Sequence, residues 1–169
     1  MTSDAETRDR AQERYADAPM PLRDYAGLTA LFNLAMVGGL ALAERSGRRI
    51  PERVSAADLA LIGVATHKLS RLITKDRVTS FARAPFTRYE EPAGHGELEE
   101  HARGTGMRRA VGQLLTCPYC ISQWVAGGFA IGLVAAPRPT RLAAALFAAV
   151  AISDGLQLAW TAAETRATP

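Results

Sequence analysis

Apolar residues in this chain are gathered into long runs rather than spread evenly. Residues 25–43 contain no charged side chain, residues 110–137 contain none, and residues 142–163 hold only Asp154. A helix needs roughly 20 mostly apolar residues to cross a bilayer core, so each run predicts a membrane span. A further helical pattern lies at 56–74. There Leu59, Ile62, Thr66, Leu69 and Ile73 share one face, while Lys68, Arg71 and Lys75 recur on the other beside His67. Lys68 is six residues from Thr74, roughly 9 Å along a helix, close enough for its ammonium to snorkel to headgroups. The pattern predicts a span with a cationic face. An amphipathic helix lying flat in the interface is the alternative.

Local signals set the boundaries. Ser55-Ala56-Ala57-Asp58 reads as a capping box at the start of the second helix. Thr116-Cys117-Pro118 reads as the start of the third, since proline suits a first helical turn. Ala136-Pro137-Arg138-Pro139 turns the chain into the fourth. The expected fold is therefore all-α, a four-helix transmembrane bundle with spans at about 25–43, 56–74, 118–136 and 142–163. These form one membrane domain, 25–163, with a polar arm at 1–24 and a tail at 164–169. Between helices 2 and 3 lies a charged segment, 75–109, punctuated by Pro85, Pro92, Gly94, Gly96, Gly104 and Gly106. A loop this long is usually functional or disordered. Gly38-Gly39 and the Gly128/Gly132 pair are expected to let helix backbones approach closely.

Charge adds a topology. Net charge is only +3, but the arm, the 75–109 loop and the tail hold twelve Lys and Arg against six in the two short turns. The more basic side faces the cytoplasm, so both termini and the loop are expected there, in a bacterial plasma membrane. The arm carries six acids and four arginines with no apolar stretch before residue 25, so no cleavable signal peptide is expected. No Lys/Arg-rich block with interleaved aromatics supports a nucleic-acid partner. Two cysteines cannot staple a secreted disulfide framework.

Cys117-Pro118-Tyr119-Cys120 is the sharpest candidate site. A thiol at a helix N-terminus gains from the dipole and the unpaired N–H groups, which favour thiolate. The same four residues occur in glutaredoxin active sites, although those follow a strand in an α/β fold. Four-helix membrane thiol oxidases are closer in architecture, but they relay electrons through a second cysteine pair that this chain lacks. Structural packing, redox chemistry and zinc binding all fit the pair. Zinc wants four ligands, which His95, His101 or a second copy of the chain would have to complete.

A second constellation is electrostatic. Asp154 lies roughly 13 Å from the inner end of the fourth span, where a carboxylate is costly unless paired. Lys68 or Arg71 reaches a similar depth, so an intramembrane ion pair is expected. At the start of the loop Lys75, Arg77 and Arg83 alternate with Phe81 and Phe86. Together with Lys68 and Arg71, this composition suits anionic lipid or a protein partner at the headgroup boundary. Glu90, Glu91, Glu97, Glu99 and Glu100 read as a solvated acidic stretch that partly neutralises nearby arginines.

Four segments combine into a wider pattern: Thr66-His67-Lys68-Leu69-Ser70-Arg71-Leu72-Ile73-Thr74-Lys75-Asp76, Val78-Thr79-Ser80, Arg83-Ala84-Pro85-Phe86 and the cysteine motif. Over about 59–124 the chain resembles a bacterial family of small integral membrane proteins with a domain of unknown function, one branch of which is sporulation-related. Phe81 stands where that pattern expects proline. The resemblance implies a membrane protein and carries no catalytic residue. The function expected from the residues is a non-enzymatic scaffold or accessory protein. It would engage membrane lipid, a protein partner or another copy of itself through the cationic face and loop, with no cofactor required. The alternative is a thiol-redox or metal-binding membrane protein centred on Cys117 and Cys120.

Overall fold

The computed structural model describes residues 20–167 and is mostly helical. Four long helices, α1 (Leu22–Arg45), α2 (Ala56–Thr74), α5 (Pro118–Ala135) and α6 (Pro137–Ala167), account for most of it. Between α2 and α5 lie a 3₁₀ turn (Arg77–Thr79), the short α3 (Ser80–Arg83), strands β1 (Thr87–Gly94) and β2 (Glu97–Ala102), and α4 (Gly106–Thr116).

Contacts along the helices give their directions. Gly127 meets Met36 and Phe32, and Gly39 meets Ile131, so α1 and α5 run parallel. Asp58 meets Arg141 and Lys68 meets Asp154, so α2 and α6 run parallel in the same way. Only Ala136 separates α5 from α6. The start of α1, the end of α2, the start of α5 and the end of α6 therefore share one end of the molecule. The β-hairpin, α3 and α4 form a small head there.

α1, α5 and α6 are long and apolar enough to cross a membrane. Much of their apolar surface points outward: Leu34, Val37 and Leu42 on α1, and Leu142, Leu146 and Leu156 on α6 are exposed. An apolar surface of this extent marks an interaction or membrane face. α2 is not among the three, because Asp58, Lys68 and Arg71 lower its hydropathy. It nevertheless packs closely against both α5 and α6. Its Ala65 is fully buried and joins Phe129 and Ala144 in the core.

Several boundaries and packing details differ from the sequence expectation. α6 begins at Pro137 and continues to Ala167, so residues 164–167 extend the helix and are no separate tail. Two prolines in its first turn are compatible with this, since the N–H groups there have no intrahelical acceptor. Residues 22–24 belong to α1, while the rest of the predicted arm up to residue 19 lies outside the described residues. A Cβ on Gly128 or Gly38 would meet nothing within 4 Å. The close approaches are made by Gly39, Gly127 and Gly132, the last against Thr140 of α6, so one glycine of each expected pair lies at a contact and the other does not.

The largest departure is in 75–109, which is folded and carries the hairpin that an all-α fold lacks. β1 and β2 pair antiparallel from Thr87↔Ala102 to Gly94↔Glu97. The connection is His95-Gly96, both at positive φ (46° and 81°), the two-residue turn whose twist matches a hairpin. Five glutamates hide these strands, because acidic residues are poor strand formers in general. Here three of the five, Glu97, Glu99 and Glu100, meet cations from α2, its C-cap and α3.

Candidate functional site

Two sites emerge at the head end of the helices, one built on charge and the other on the cysteines.

The charged site follows from matching two periodicities. Arg71 and Lys75 are four residues apart on the face of α2 and its C-cap, about 6 Å along the axis. Glu97 and Glu99 are two residues apart on one face of β2, about 6.6 Å along a strand. The spacings agree, and the charges pair one to one. Arg71 Nε donates to Glu97 Oε1 at 2.9 Å, and Lys75 Nζ donates to Glu99 Oε2 at 2.7 Å. Backbone bonds hold the register: Leu98 N donates to Lys75 O at 2.8 Å, and Arg77 N donates to Gly96 O at 3.0 Å.

The other face of β2 is buried. Leu98 packs inward, and Glu100 meets Arg83, which is 1% exposed. Arg83 Nε donates to Glu100 Oε2 at 2.5 Å, Nη1 to Ile73 O at 2.9 Å and to Thr79 Oγ1 at 2.7 Å, and Nη2 to Asp76 O at 3.1 Å. Thr87 Oγ1 donates to the second Glu100 oxygen at 3.0 Å. A buried charge needs this degree of hydrogen bonding to be tolerated. Arg83 thus ties the end of α2, the 3₁₀ turn and β2 together.

Further along α2, Lys68 Nζ lies 2.6 Å from Asp154 Oδ2. The expected ion pair had two candidate cations, and the structure gives Asp154 to Lys68 while Arg71 turns to Glu97. Both pairs border a cavity of about 560 Å³ that also includes His67, His95 and Thr161. At the opposite end of α2, Ser55 Oγ accepts from Asp58 N at 3.0 Å. The Asp58 carboxylate does not complete a reciprocal capping box; Arg141 grips both its oxygens at 2.7 and 2.8 Å.

Pairing alters the expected cationic surface. Lys68, Arg71, Lys75 and Arg83 each face a carboxylate. Of the expected solvated acidic stretch, Glu90 and Glu91 are exposed, whereas Glu97, Glu99 and Glu100 are structural partners of these cations. Arg77 is exposed, beside Val78 and Phe81, which are 73% and 79% exposed. Phe86 is half-buried, and its carbonyl accepts from Arg103 N at 2.9 Å.

The second site begins at the α4–α5 junction. Cys117 ends α4 and caps α5, with Pro118 in the first turn; its Sγ accepts from Cys120 N at 3.2 Å. Cys117 and Cys120 are joined as a disulfide, with Cα atoms 5.3 Å apart. Both line a cavity of about 490 Å³ between α1, α4 and α5. Tyr25 Oη donates to Gln113 Oε1 across it, and Phe32 meets Trp124 edge-on with centroids 5.4 Å apart. Sequence reasoning missed this cavity and its aromatic wall, because it forms only when the N-terminal half of α1 lies beside α5. His95 and His101 do not join the cysteines: His95 borders the other cavity, and His101 faces Glu90 at 3.5 Å. Among the described residues no group of three His, Cys, Asp or Glu side chains could hold a metal ion.

Residues 61–160 match the family described as a protein of unknown function (DUF1360). The chain belongs to the DUF1360 family. The matched region takes in most of α2, the entire head and the cysteine motif. Sporulation protein YjcA of Bacillus subtilis (strain 168) is 31% identical over 77 residues, which is 44% of this chain. The match spans 65% of that relative's length. No solved structure matches the chain. DUF1360 membership and the sporulation-related relative agree with the resemblance carried by the four sequence segments.

Proposed function

We propose that this protein is a non-enzymatic accessory protein of a bacterial plasma membrane. In this reading α1, α2, α5 and α6 form a four-helix transmembrane bundle, and the hairpin head rests on the cytoplasmic headgroup layer. The outward apolar surface of α1 and α6 supports the membrane placement. α2 fits inside because Asp58, Lys68 and Arg71 are each matched by an opposite charge, which lowers the cost of charge at membrane depth. The basic bias of the head side and of the flanking ends orients them toward the cytoplasm.

One observation carries the lipid-facing role. Val78 and Phe81 stand exposed next to Arg77, immediately after α2. Apolar side chains beside a cation suit the boundary where acyl chains meet anionic headgroups. Arg71, Lys75 and Arg83 support the head and Lys68 holds α6, rather than contact lipid directly, and Arg77 is the cation facing outward beside the apolar pair. The bundle would thus present a rigid head, docked at the surface, to a protein partner or a second copy of the chain.

The test places a bimane fluorophore at Phe81→Cys in a chain whose own cysteines are serine, reconstituted in nanodiscs. Emission should shift to the blue when phosphatidylglycerol is added to phosphatidylcholine, and Arg77→Gln should reduce the shift. A water-like emission in both lipids would overturn the reading. Thiol chemistry at Cys117 and Cys120 is a second reading, favoured by the disulfide that borders the aromatic cavity.

A further inference from the structure

Cys117 and Cys120 are more than a cap on α5. A cysteine pair can be packed away or can open on space large enough for a reactant, and this one opens on about 490 Å³, within the range of small-molecule sites. The walls specify the kind of reactant. Tyr25, Phe32 and Trp124 supply aromatic surface, and Leu28 and Leu114 supply aliphatic surface. Aromatic rings arranged edge-on leave faces on which another flat ring can stack. The polar side chains on the lining, Tyr25, Thr29, Gln113, Thr116 and Gln123, are uncharged. Gln113 accepts from Tyr25 through Oε1, so its Nε2 donors are not used in that bond and suit a carbonyl oxygen. No acidic or basic side chain borders the cavity, which disfavours a charged ligand. Two of the walls are helices long and apolar enough to cross a membrane, so a molecule dissolved in hydrocarbon can reach the site by partitioning.

We infer that the cavity takes a quinone-class oxidant and that the Cys117/Cys120 dithiol reduces it. A thiol pair gives up two electrons and two protons in becoming a disulfide. A quinone takes up the same number at its two carbonyl oxygens. In the step, two S–H bonds break and one S–S bond forms between Cys117 and Cys120. The two electrons and two protons pass to the quinone, which leaves as quinol. No second cysteine pair is required for this half-reaction. The disulfide seen in the structure is its product state. This inference deepens the second reading, thiol chemistry at Cys117 and Cys120, and does not depend on how the head meets lipid.

The test uses the full chain in detergent, reduced with dithiothreitol, desalted without oxygen and mixed with decylubiquinone. Quinol should form in equal amount to protein while both thiols disappear, and the rate should saturate with quinone. Binding is read separately on oxidised protein carrying Trp160→Phe, which leaves Trp124 as the single tryptophan. Decylubiquinone should quench its fluorescence saturably. Phe32→Ala should raise the half-saturating concentration for both readouts about three- to tenfold. Tyr25→Phe removes the bond to Gln113 with little change in shape, and serves if the alanine variant fails to fold. A rate that rises linearly with quinone at the pace of free dithiothreitol, or Trp124 fluorescence that quinone does not quench saturably, would overturn the inference.

Discussion

Lys68 Nζ stands 2.6 Å from Asp154 Oδ2, joining the charged helix α2 to the apolar helix α6. The lysine is mostly shielded and the aspartate nearly half exposed, at 17% and 45%. Lipid around the helices would desolvate the aspartate further, which strengthens the attraction and raises the cost of breaking the pair.

A double-mutant cycle measures this contact. Lys68→Met and Asp154→Asn should each lower the melting temperature in detergent, and the double variant should lose less than the sum. The coupling expected for residues in direct contact is about 0.5–3 kcal/mol. Additive losses would show that the two charges do not interact.

Arg83 is the residue on which the head depends most. Arg83→Ala leaves Glu100 buried without its partner, a defect that typically costs about 3–5 kcal/mol. Arg83→Lys should restore only part of the stability, since an ammonium cannot reproduce the guanidinium contacts to Ile73, Asp76 and Thr79. Limited proteolysis between β1 and α4 reads the head directly. Unchanged protease resistance in Arg83→Ala would refute the role.

Two glycines that look alike in sequence should behave oppositely. A Cβ at Gly112 would lie 2.5 Å from the Phe86 carbonyl oxygen, a backbone atom that cannot swing away. Gly112→Ala should therefore destabilise by about 1–3 kcal/mol through overpacking. At Gly128 the space is open, and Gly128→Ala should be neutral or gain up to about 1 kcal/mol of helix propensity. Thermal unfolding of both variants tests the helix contacts, and a destabilised Gly128→Ala would show that Gly128 lies at a contact.

The acids of β2 should compete with lipid phosphate. Replacing Glu97 and Glu99 with glutamine frees Arg71 and Lys75 from their carboxylates. Each released cation near an anionic surface is worth about 1 kcal/mol. Native mass spectrometry should show the double variant retaining more phosphatidylglycerol than the parent. Equal retention would mean that these two cations stay out of reach of lipid even when unpaired.

The long uncharged runs by themselves determined where α1, α5 and α6 lie, because helix formation and apolar burial depend on residues close together in the chain. The cationic stripe of α2 and its Ser55 cap were legible for the same reason, as was the proline start at Pro118. Family membership was legible too, in four short segments between Thr66 and Cys120. The hairpin was not. A strand holding Glu97, Glu99 and Glu100 forms because Arg71 and Lys75 stand opposite at the same spacing, and Arg83 is fixed beneath it. Only the tertiary structure could assign Lys68 rather than Arg71 to Asp154, since helical spacing brings both to similar depth while β2 claims one of them. The cavity at Cys117 and Cys120 likewise required α1 to lie parallel to α5, joining Tyr25 and Phe32 to side chains about ninety residues away. Local chemistry wrote the helices, and long-range charge matching and helix direction decided what they enclose.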